Sequence, residues 1–350
     1  MANLKPTFSL TLGSLNSTTA NPAGGAYAFL VERDMDVAAD VCQVWLTDRS
    51  GVSLEDTLTL ELGHDEENEQ VFTGRVVSVQ PALDEVRVLA LGKMEGLLNL
   101  RTANTYEGQS AGAIAQDLIG QASLQAGTVD DGPSLPRYAV DKRVSAYAHL
   151  RELAERLGFE LYTNRQGEIM FHALGPAANL DAMGGLAGAA GGLAAGLLGG
   201  GEGYQFGKHL IAAQATSQPV AWGEVVVGGE SPMSSQGDSS AHWLTINDQN
   251  VRGTAGSGEP GRLWLDPAAR SKDLADRFAA GRLAVAQRVA HQVSIRVLGR
   301  PQVDLGDDLN VDETADDLLN GSGYVRFIRH RFDARHGYLT DFRISVAVSE

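Results

Sequence analysis

The sequence is short of the residues that disulfide-stabilised and nucleic-acid-binding proteins depend on. It has a single cysteine, Cys42, so no disulfide framework can form, and its strand-like surroundings favour a buried free thiol. Lysine and arginine number 28 against 44 aspartate and glutamate, giving a formal charge of -16. Because phosphate binding needs clustered cations, this balance argues against sequence-specific contact with nucleic acid.

The sequence also shows no pattern of a leader sequence, and its composition does not favour long helices. Residues 1–6 have neither the charged nor the apolar region of a secretory signal, which predicts no signal peptide and assembly in the cytoplasm. Aromatic residues make up only 6%, whereas glycine reaches 41 residues. That profile is typical of short strands and many turns. For 350 residues we expect two or three compact, β-rich units.

The sequence shows no convincing catalytic or metal-binding constellation. His330, Asp333 and His336 could be drawn as a metal site, but arginines beside them disfavour a bound cation. Residues 64–69 offer oxygen ligands without the pattern of a calcium loop, and the glycines near Gly185 lack a phosphate-binding motif. We therefore predict no catalytic, cofactor-binding or metal-binding residues, and no cofactor.

A second acidic segment, residues 300–309, has two open interpretations. It reads as a turn that leads into a strand, and its carboxylates are either a rim for partner contact or a solvated loop.

Residues 1–100 predict strands joined by turns. Apolar and polar residues partly alternate in residues 71–79 and 86–91, which indicates a hairpin turning at residues 81–84. The predicted strands are Thr7–Leu12, Ala28–Glu32, Val41–Thr47, Thr57–Leu62, Gln70–Gln80 and Glu85–Leu91.

Residues 101–175 predict a small α/β unit. Ser110 is a plausible N-cap for a first helix that Gly127 would end, and Ser145 begins a second helix that stops at Gly158. A strand, a turn over residues 164–167 and a returning strand follow.

Residues 176–206 predict an insertion or linker rich in glycine and alanine. Its segment 182–201 carries no charge and repeats glycine every four residues from Gly184 to Gly200, a spacing that allows close helix approach in membranes. Its nine glycines make it a poor, weakly apolar helix, which argues against membrane contact.

Residues 207–350 predict a second strand-rich unit. After two strands, residues 228–261 predict a polar loop, and residues 273–292 an amphipathic helix, within a helical region at about 271–292, that Gly281 interrupts. The last two strands, 324–332 and 338–348, predict a strong hairpin. The other predicted strands are Leu210–Gln214, Trp222–Val227, Val293–Val297 and Asp308–Val311.

The order of these elements resembles the late control gene D family of phage tail proteins, which includes the hub of contractile-tailed phages and is similar to the N-terminal part of VgrG spike proteins. Each motif alone is weak, but together they follow the family order from residue 71 to residue 342. The segments that carry the resemblance are 71–76, Leu97-Leu98 with Arg101 and Tyr106, 147–158, 167–171, 279–283, 305–311, 323–330 and 337–342. Residues 305–311 lack the family's usual proline.

The resemblance implies an α+β, β-rich fold with two tube-like β-barrel domains, at 1–100 and 207–350, and a smaller α/β domain at 101–175 between them. Three copies would present six barrels and so join a sixfold tail tube to a threefold spike around a central channel. The expected partners are two further copies of the chain, a tail tube protein, a separate spike protein and other baseplate components. The spike is expected to be another polypeptide because no further module follows Val348.

The resemblance leaves other functions open. A tail-associated cell-wall hydrolase and a membrane-docking tail component are the alternatives to a non-enzymatic hub. The acidic excess either lines the channel and repels acidic cargo or keeps a large assembly soluble. The parent machine, whether a phage, a bacteriocin-like particle or an injection system, is not specified by these residues.

Overall fold

The computed structural model describes residues 4–48, 51–174, 202–229 and 251–346. Strands dominate these ranges, and four α-helices accompany them. The predicted β-rich α+β composition is confirmed. The glycine-rich segment 182–201 lies outside the described residues, so the prediction for it stays a prediction.

The first part of the chain is a run of antiparallel strands. Its strands are β1 (Pro6–Leu12), β2 (Leu15–Thr18), β3 (Ala28–Asp34), β4 (Val41–Leu46), β5 (Thr57–His64), β6 (Glu67–Pro81) and β7 (Val86–Gly92). In β3 and β4 every second side chain is buried, because one face of the sheet packs on a core. Only β2 is absent from the sequence prediction, since its four residues show no apolar alternation.

The middle of the chain combines helices with short strands. Its elements are α1 (Glu95–Asn99), β8 (Asn104–Ser110), α2 (Ala111–Gln121), β9 (Ala126–Val129), β10 (Ser134–Val140), α3 (Ala146–Leu157), β11 (Phe159–Thr163) and β12 (Ile169–Ala173). Ser110 and Ser145 cap α2 and α3 as predicted. Each hydroxyl oxygen accepts a hydrogen bond from the backbone amide of the residue three positions later in the chain. Gly158 ends α3 in the left-handed conformation, with φ of 73°.

The predicted end of α2 is wrong. The helix stops at Gln121, and Ser123 turns the chain away in the left-handed region with φ of 56°. Gly127 instead lies within β9. Serine rarely adopts this conformation, so the sequence offers no glycine signal at the true boundary.

The last part of the chain returns to strands. Its elements are β13 (Glu202–Gln205), β14 (Leu210–Ser217), β15 (Glu224–Gly229), β16 (Arg252–Gly256), β17 (Gly261–Asp266), α4 (Lys272–Gln287), β18 (His291–Leu298), β19 (Asp308–Asp312), β20 (Gly321–Asp333) and β21 (Gly337–Val346). The predicted loop at 228–261 is wrong where β16 pairs with β15. The predicted helix runs too far, because His291 already pairs with Ser217 of β14.

One sheet of 13 strands contains both ends of the chain. Its main path runs β14-β18-β21-β20-β3-β4-β7-β6-β5-β1-β2, with β19 pairing β20 and β13 pairing β19 off the path. β3 pairs antiparallel with β20 over seven residues, from Ala28 opposite Asp333 to Asp34 opposite Phe327. We call this pairing the β3–β20 seam. Among the described strands the path is open, so the predicted pair of closed barrels stays a prediction.

Three smaller sheets and α4 accompany the large sheet in the described residues. β11-β12-β9 and β16-β15-β17 each form a three-stranded sheet, while β8 pairs with β10. Helix α4 packs on α3, and its Gly281 sits where a Cβ would come within 2.3 Å of the Arg156 carbonyl oxygen. A shared hydrophobic core therefore joins α3 and α4, with Leu153 and Phe278 among its buried members.

Two further hydrophobic cores lie under the large sheet. In the first, Phe8, Phe29 and Phe332 pack in tilted and edge-to-face contacts with ring centroids 4.7–5.6 Å apart. Since Phe332 comes from β20, the C-terminal hairpin completes the core of the N-terminal strands. In the second, strands β18 to β21 enclose Phe342, with Met35 arriving from the turn after β3. Each end of the chain thus contributes side chains to the core of the other.

Candidate functional site

The junction of the three hydrophobic cores is built around buried charges. Arg33 of β3 is almost wholly buried and donates to the Asp304 carboxylate at 2.6 Å and to the Thr163 carbonyl oxygen at 2.6 Å. Its Nε lies 3.4 Å from Asp40. Burial alone would lower the pKa of Arg33, but the two aspartates outweigh it and raise it. Arg33 therefore ties the first strands to the β11–β12 hairpin and to residues 300–309.

A second buried network centres on Glu160 of β11, whose side chain is 1% exposed. Its Oε1 accepts from Arg326 of β20 and from the Tyr324 hydroxyl at 3.2 Å, and it forms an ion pair with Arg288 at 2.9 Å. Arg326 also donates to Asp36 at 2.6 Å. Burial would raise the pKa of Asp36, but Arg326 and its neighbours hold it below its usual value. Arg326 thus links Glu160 in the middle of the chain to Asp36 in the turn after β3.

These networks give one member of the acidic segment 300–309, Asp304, a structural role. Asp304 is neither rim nor solvated loop, because it is the partner of Arg33 and also accepts from the Arg165 amide at 2.9 Å. Asp307 accepts from the Asp304 amide at 2.8 Å, and burial raises the pKa of Asp307. The segment therefore holds three parts of the protein together.

Arg33, Glu160 and Arg326 were not predicted from the sequence as functional residues. The available signal was a charged residue inside an apolar strand, as in Phe159-Glu160-Leu161 and Tyr324-Val325-Arg326-Phe327. Charged residues are almost never fully buried unless they are paired, so each such position implies a partner elsewhere in the chain.

In the structure the three candidate metal ligands, His330, Asp333 and His336, do not form one site. His330 is buried, with Nδ1 at 3.0 Å from the Tyr338 hydroxyl, and burial with the nearby Arg33 lowers its pKa to about 3. His336 and Asp333 contact each other at 2.9 Å on the β20–β21 turn. Among the described residues, no group of three or more histidine, cysteine, aspartate or glutamate side chains is placed to hold a metal ion.

Asp333 has a structural role in that turn. It accepts from the backbone amides of Arg335 and His336 at 2.9 and 2.8 Å, and from the Arg331 side chain at 2.9 Å. Burial would raise the pKa of Asp333, but these donors hold it at about 2. The acidic residues at 64–69 likewise form a tight turn, in which Asp65 and Glu66 have positive φ.

Ion pairs cross the outer face of the β3–β20 seam. Arg329 contacts Glu32 at 2.6 Å, and Arg343 of β21 contacts Asp34 of β3 at 2.9 Å. The guanidinium groups of Arg329 and Arg343 both lie over the Phe327 ring, at 5.4 and 5.3 Å from its centroid. The two ends of the chain are thus joined by side chains as well as by backbone pairing.

Two open grooves mark the surface. One, of about 450 Å³, runs over the seam and is lined by Tyr27, Trp45 and Phe332 among others. The other, of about 330 Å³, lies beside α4 and contains Trp222, Trp264 and Arg282. Within the described ranges, none of the helices is both long and apolar enough to cross a bilayer.

Neither a protein-family model nor a curated protein matches this sequence. Solved structures do match its fold. The 43 kDa tail protein of prophage MuSo2 from Shewanella oneidensis is 14% identical, covers 97% of this chain and 98% of its own, and superposes with a TM-score of 0.67. The tail protein from Neisseria meningitidis MC58 is 12% identical, with 97% and 96% covered and a TM-score of 0.69.

A component of the Escherichia coli type VI secretion system matches with a TM-score of 0.53 and 12% identity, over 97% of this chain and 77% of that one. That protein is itself described as structurally similar to bacteriophage T4 tail proteins. These neighbours are of the kind to which the sequence resemblance pointed. The chain therefore has, over nearly its whole length, the fold of phage tail proteins and of a related type VI secretion component.

Proposed function

We propose that this chain is a structural, non-enzymatic baseplate hub that assembles as a homotrimer and joins a sixfold tail tube to a threefold spike. The observation that carries the proposal is the β3–β20 seam, which merges strands of the first and last thirds into one sheet. Two strand-rich halves joined in one rigid chain are what a converter between sixfold and threefold symmetry needs. The near-complete overlap with phage tail proteins supports the same role.

In this proposal residues 1–100 and 207–350 supply the two tube-like domains and residues 101–175 the α/β domain. Three copies then place six strand-rich domains around a channel. The main sheet path ends at β2 and β14, whose outer edges carry backbone groups without a strand partner along that path. A closed ring gives such edges a neighbour, whereas a monomer exposes them to aggregation.

The buried networks fit a part that must transmit force. Arg33 and Glu160 connect all three proposed domains, so a load on one strand-rich domain passes to the other through packed, charged contacts. A separate spike polypeptide and the tube protein are the partners proposed for the two ends of the ring.

Native mass spectrometry and electron microscopy of the purified chain test this proposal. We expect three copies per particle at concentrations of about 10 µM, which specific interfaces of ordinary affinity support, and a ring with an open centre. Addition of the matching tube protein is expected to yield stacked rings on one face. A strictly monomeric protein that never joins tube or spike particles would refute the hub assignment.

A further inference from the structure

The groove beside α4 combines aromatic and cationic side chains. The rings of Trp222 and Trp264 lie 5.9 Å apart, edge to face. The Arg262 guanidinium lies 4.6 Å from both ring centroids, and that of Arg282 lies 5.1 Å from Trp264. Trp222, Trp264 and Arg282 line the groove, and Arg262 lies against the two indoles beside it; we call these four residues the Trp–Arg groove. Tryptophan and arginine are the residue types that dominate the energetics of protein interfaces.

Within the described residues, neither arginine of this groove has a carboxylate to itself. Arg282 reaches Asp266 at 3.5 Å, but that carboxylate already accepts from Arg156 at 2.6 Å. The Nε of Arg282 is buried without a hydrogen bond partner in the described residues, and burial lowers the pKa of this guanidinium. For Arg262 the described part of the chain provides no ion pair. A carboxylate from another molecule would give both guanidinium groups, those of Arg262 and Arg282, an ion-pair partner.

Other arginines lining the same groove are already paired. Arg151 contacts Glu155 at 3.1 Å, and Arg288 contacts Glu160 at 2.9 Å. The unmatched positive charge is therefore confined to the part of the groove beside the two tryptophans.

The same chain carries a segment of complementary chemistry. The β6–β7 hairpin turns at residues 82–85, where the Ala82 amide bonds the Glu85 carbonyl oxygen at 2.8 Å. Leu83 at this tip is 106% exposed, the most exposed of the large hydrophobic residues in the described ranges. Asp84 beside it is exposed and forms no ion pair with a described residue. A rigid turn thus presents an apolar side chain next to a free carboxylate.

We propose that the hairpin tip of one copy inserts into the Trp–Arg groove of the next copy. Leu83 packs against the two indoles, and the Asp84 carboxylate pairs with Arg262 at the groove mouth. The contact joins two different patches of one chain, which is the head-to-tail geometry that closes into a ring. This inference rests on the proposed homotrimer and names its interface.

A second copy is favoured over another baseplate component by charge and stoichiometry. The carboxylate of Asp84 at the tip is locally complementary to the arginines of the groove, and each copy brings one tip and one groove. Burying a fully exposed leucine contributes about 1.5–3 kcal/mol, which is enough to make the tip a hot spot.

The test is a charge reversal measured by analytical ultracentrifugation and mass photometry. Leu83→Ala is expected to raise the trimer dissociation midpoint at least about tenfold. Asp84→Arg and Arg262→Asp, each alone, are expected to raise it further. The combined variant, Asp84→Arg with Arg262→Asp, restores the pair and is expected to recover trimer.

Matched controls come from a second acidic turn. Leu318 is 55% exposed and lies beside Asp316 and Asp317. Leu318→Ala and Asp317→Arg are expected to leave the trimer unchanged. Circular dichroism of every variant separates lost assembly from lost folding, because the altered side chains are on the surface.

The possible results separate this inference from the hub proposal. If the natural chain is trimeric and the tip and groove variants stay trimeric, the interface is wrong and the hub stands. If the natural chain is monomeric, both the hub proposal and the proposed interface are wrong. If Arg262→Asp prevents capture of a purified spike or tube protein but leaves the trimer intact, the groove binds that component and the proposed occupant is wrong.

Discussion

Glu160 is a single carboxylate shared by two buried guanidinium groups, those of Arg326 and Arg288. Such an arrangement survives because each buried charge has a partner, and removal of one member leaves the others uncompensated. The networks around Glu160 and Arg33 also join segments far apart in the chain. We therefore expect their effect to appear in the stability of the whole molecule.

Glu160→Gln tests this expectation. The change keeps the shape of the side chain but removes the charge between Arg326 and Arg288, so we expect a loss of about 3–5 kcal/mol in the free energy of unfolding. Urea denaturation followed by fluorescence measures it. Glu55→Gln is the control, because Glu55 and Arg75 form an exposed pair, and its expected effect is within about 0.5 kcal/mol. Equal effects for the two variants would contradict the buried network.

His330 makes stability depend on pH in a window below neutrality. The folded protein holds its pKa at about 3, whereas an unfolded chain gives histidine a pKa near 6.5. Between these pH values His330 is protonated in the unfolded state but not in the folded state. The free energy of unfolding therefore falls as pH falls, by about 1.4 kcal/mol per pH unit.

His330→Gln removes that slope while keeping groups that can bond Tyr338 and Thr340. We expect the variant to lose less stability than the natural protein between pH 6.5 and pH 3, as measured by thermal unfolding across a pH series. His209→Gln, at a half-buried histidine that accepts from the Gln205 amide, is the matched control. An unchanged slope in His330→Gln would show that other groups govern acid sensitivity.

At the scale of elements, α4 owes its position to a glycine that helix propensity disfavours. Gly281 lies in the middle of the helix, where it allows the backbone of Arg156 and Leu157 at the end of α3 to approach. From the sequence alone this residue appears as an interruption of an amphipathic helix. In the structure it is the contact that lets two helices share one hydrophobic core.

Gly281→Ala is expected to destabilise the protein even though alanine favours helices. The added Cβ would lie 2.3–2.6 Å from backbone atoms of α3. Overpacking of about 3 kcal/mol outweighs a propensity gain of about 1 kcal/mol, leaving a net loss of about 2 kcal/mol. Gly120→Ala in α2 is the control, since apart from its chain neighbours and the nearby backbone of its own helix no described atom lies within 4 Å of its Cβ position, and it should stabilise by up to about 1 kcal/mol. Thermal unfolding of both variants gives the comparison.

Local signals in the sequence predicted most elements correctly. Serine N-caps at Ser110 and Ser145 and the glycine at Gly158 define helix ends through backbone chemistry that acts within a few residues. Errors arose where the deciding contact is distant in sequence. β16 is a strand because it pairs with β15. α4 ends before the predicted boundary because His291 pairs with Ser217 of β14.

The same reason explains what was missed at the junction. Nothing local to Arg33 or Glu160 says which residue will neutralise it, because Asp304 and Arg326 lie far along the chain. The expectation of no catalytic residues came from residue types and spacings and stays a prediction. The positions that join the parts of the molecule required the fold.

At the scale of the whole molecule, the β3–β20 seam makes one sheet out of two strand-rich parts. Backbone pairing, the Phe29–Phe332 contact and the ion pairs over Phe327 all act across it. We expect the two parts to unfold together.

A disulfide across the seam tests its register. Leu30 lies opposite Arg331, so Leu30→Cys with Arg331→Cys should oxidise readily and stabilise by about 2–4 kcal/mol, because it closes a very long loop. Mobility on a non-reducing gel and thermal unfolding measure both effects. Leu30→Cys with Leu339→Cys is the control, since Leu339 pairs with Arg331 from the far side and lies beyond disulfide reach. Cross-linking of the control pair but not the test pair would contradict the register.

The seam also sets the order in which a newly made chain can mature. A ribosome finishes β3 early, yet the strand that completes that edge, β20, begins only at Gly321. Until then the edge of β3 is unpaired and the ring of Phe29 lacks its contact with Phe332. Both can make non-native contacts, and nascent chains that expose such surfaces bind chaperones. Synthesis of the C-terminal hairpin therefore acts as a checkpoint, because an interrupted product lacks the strand that seals its first core.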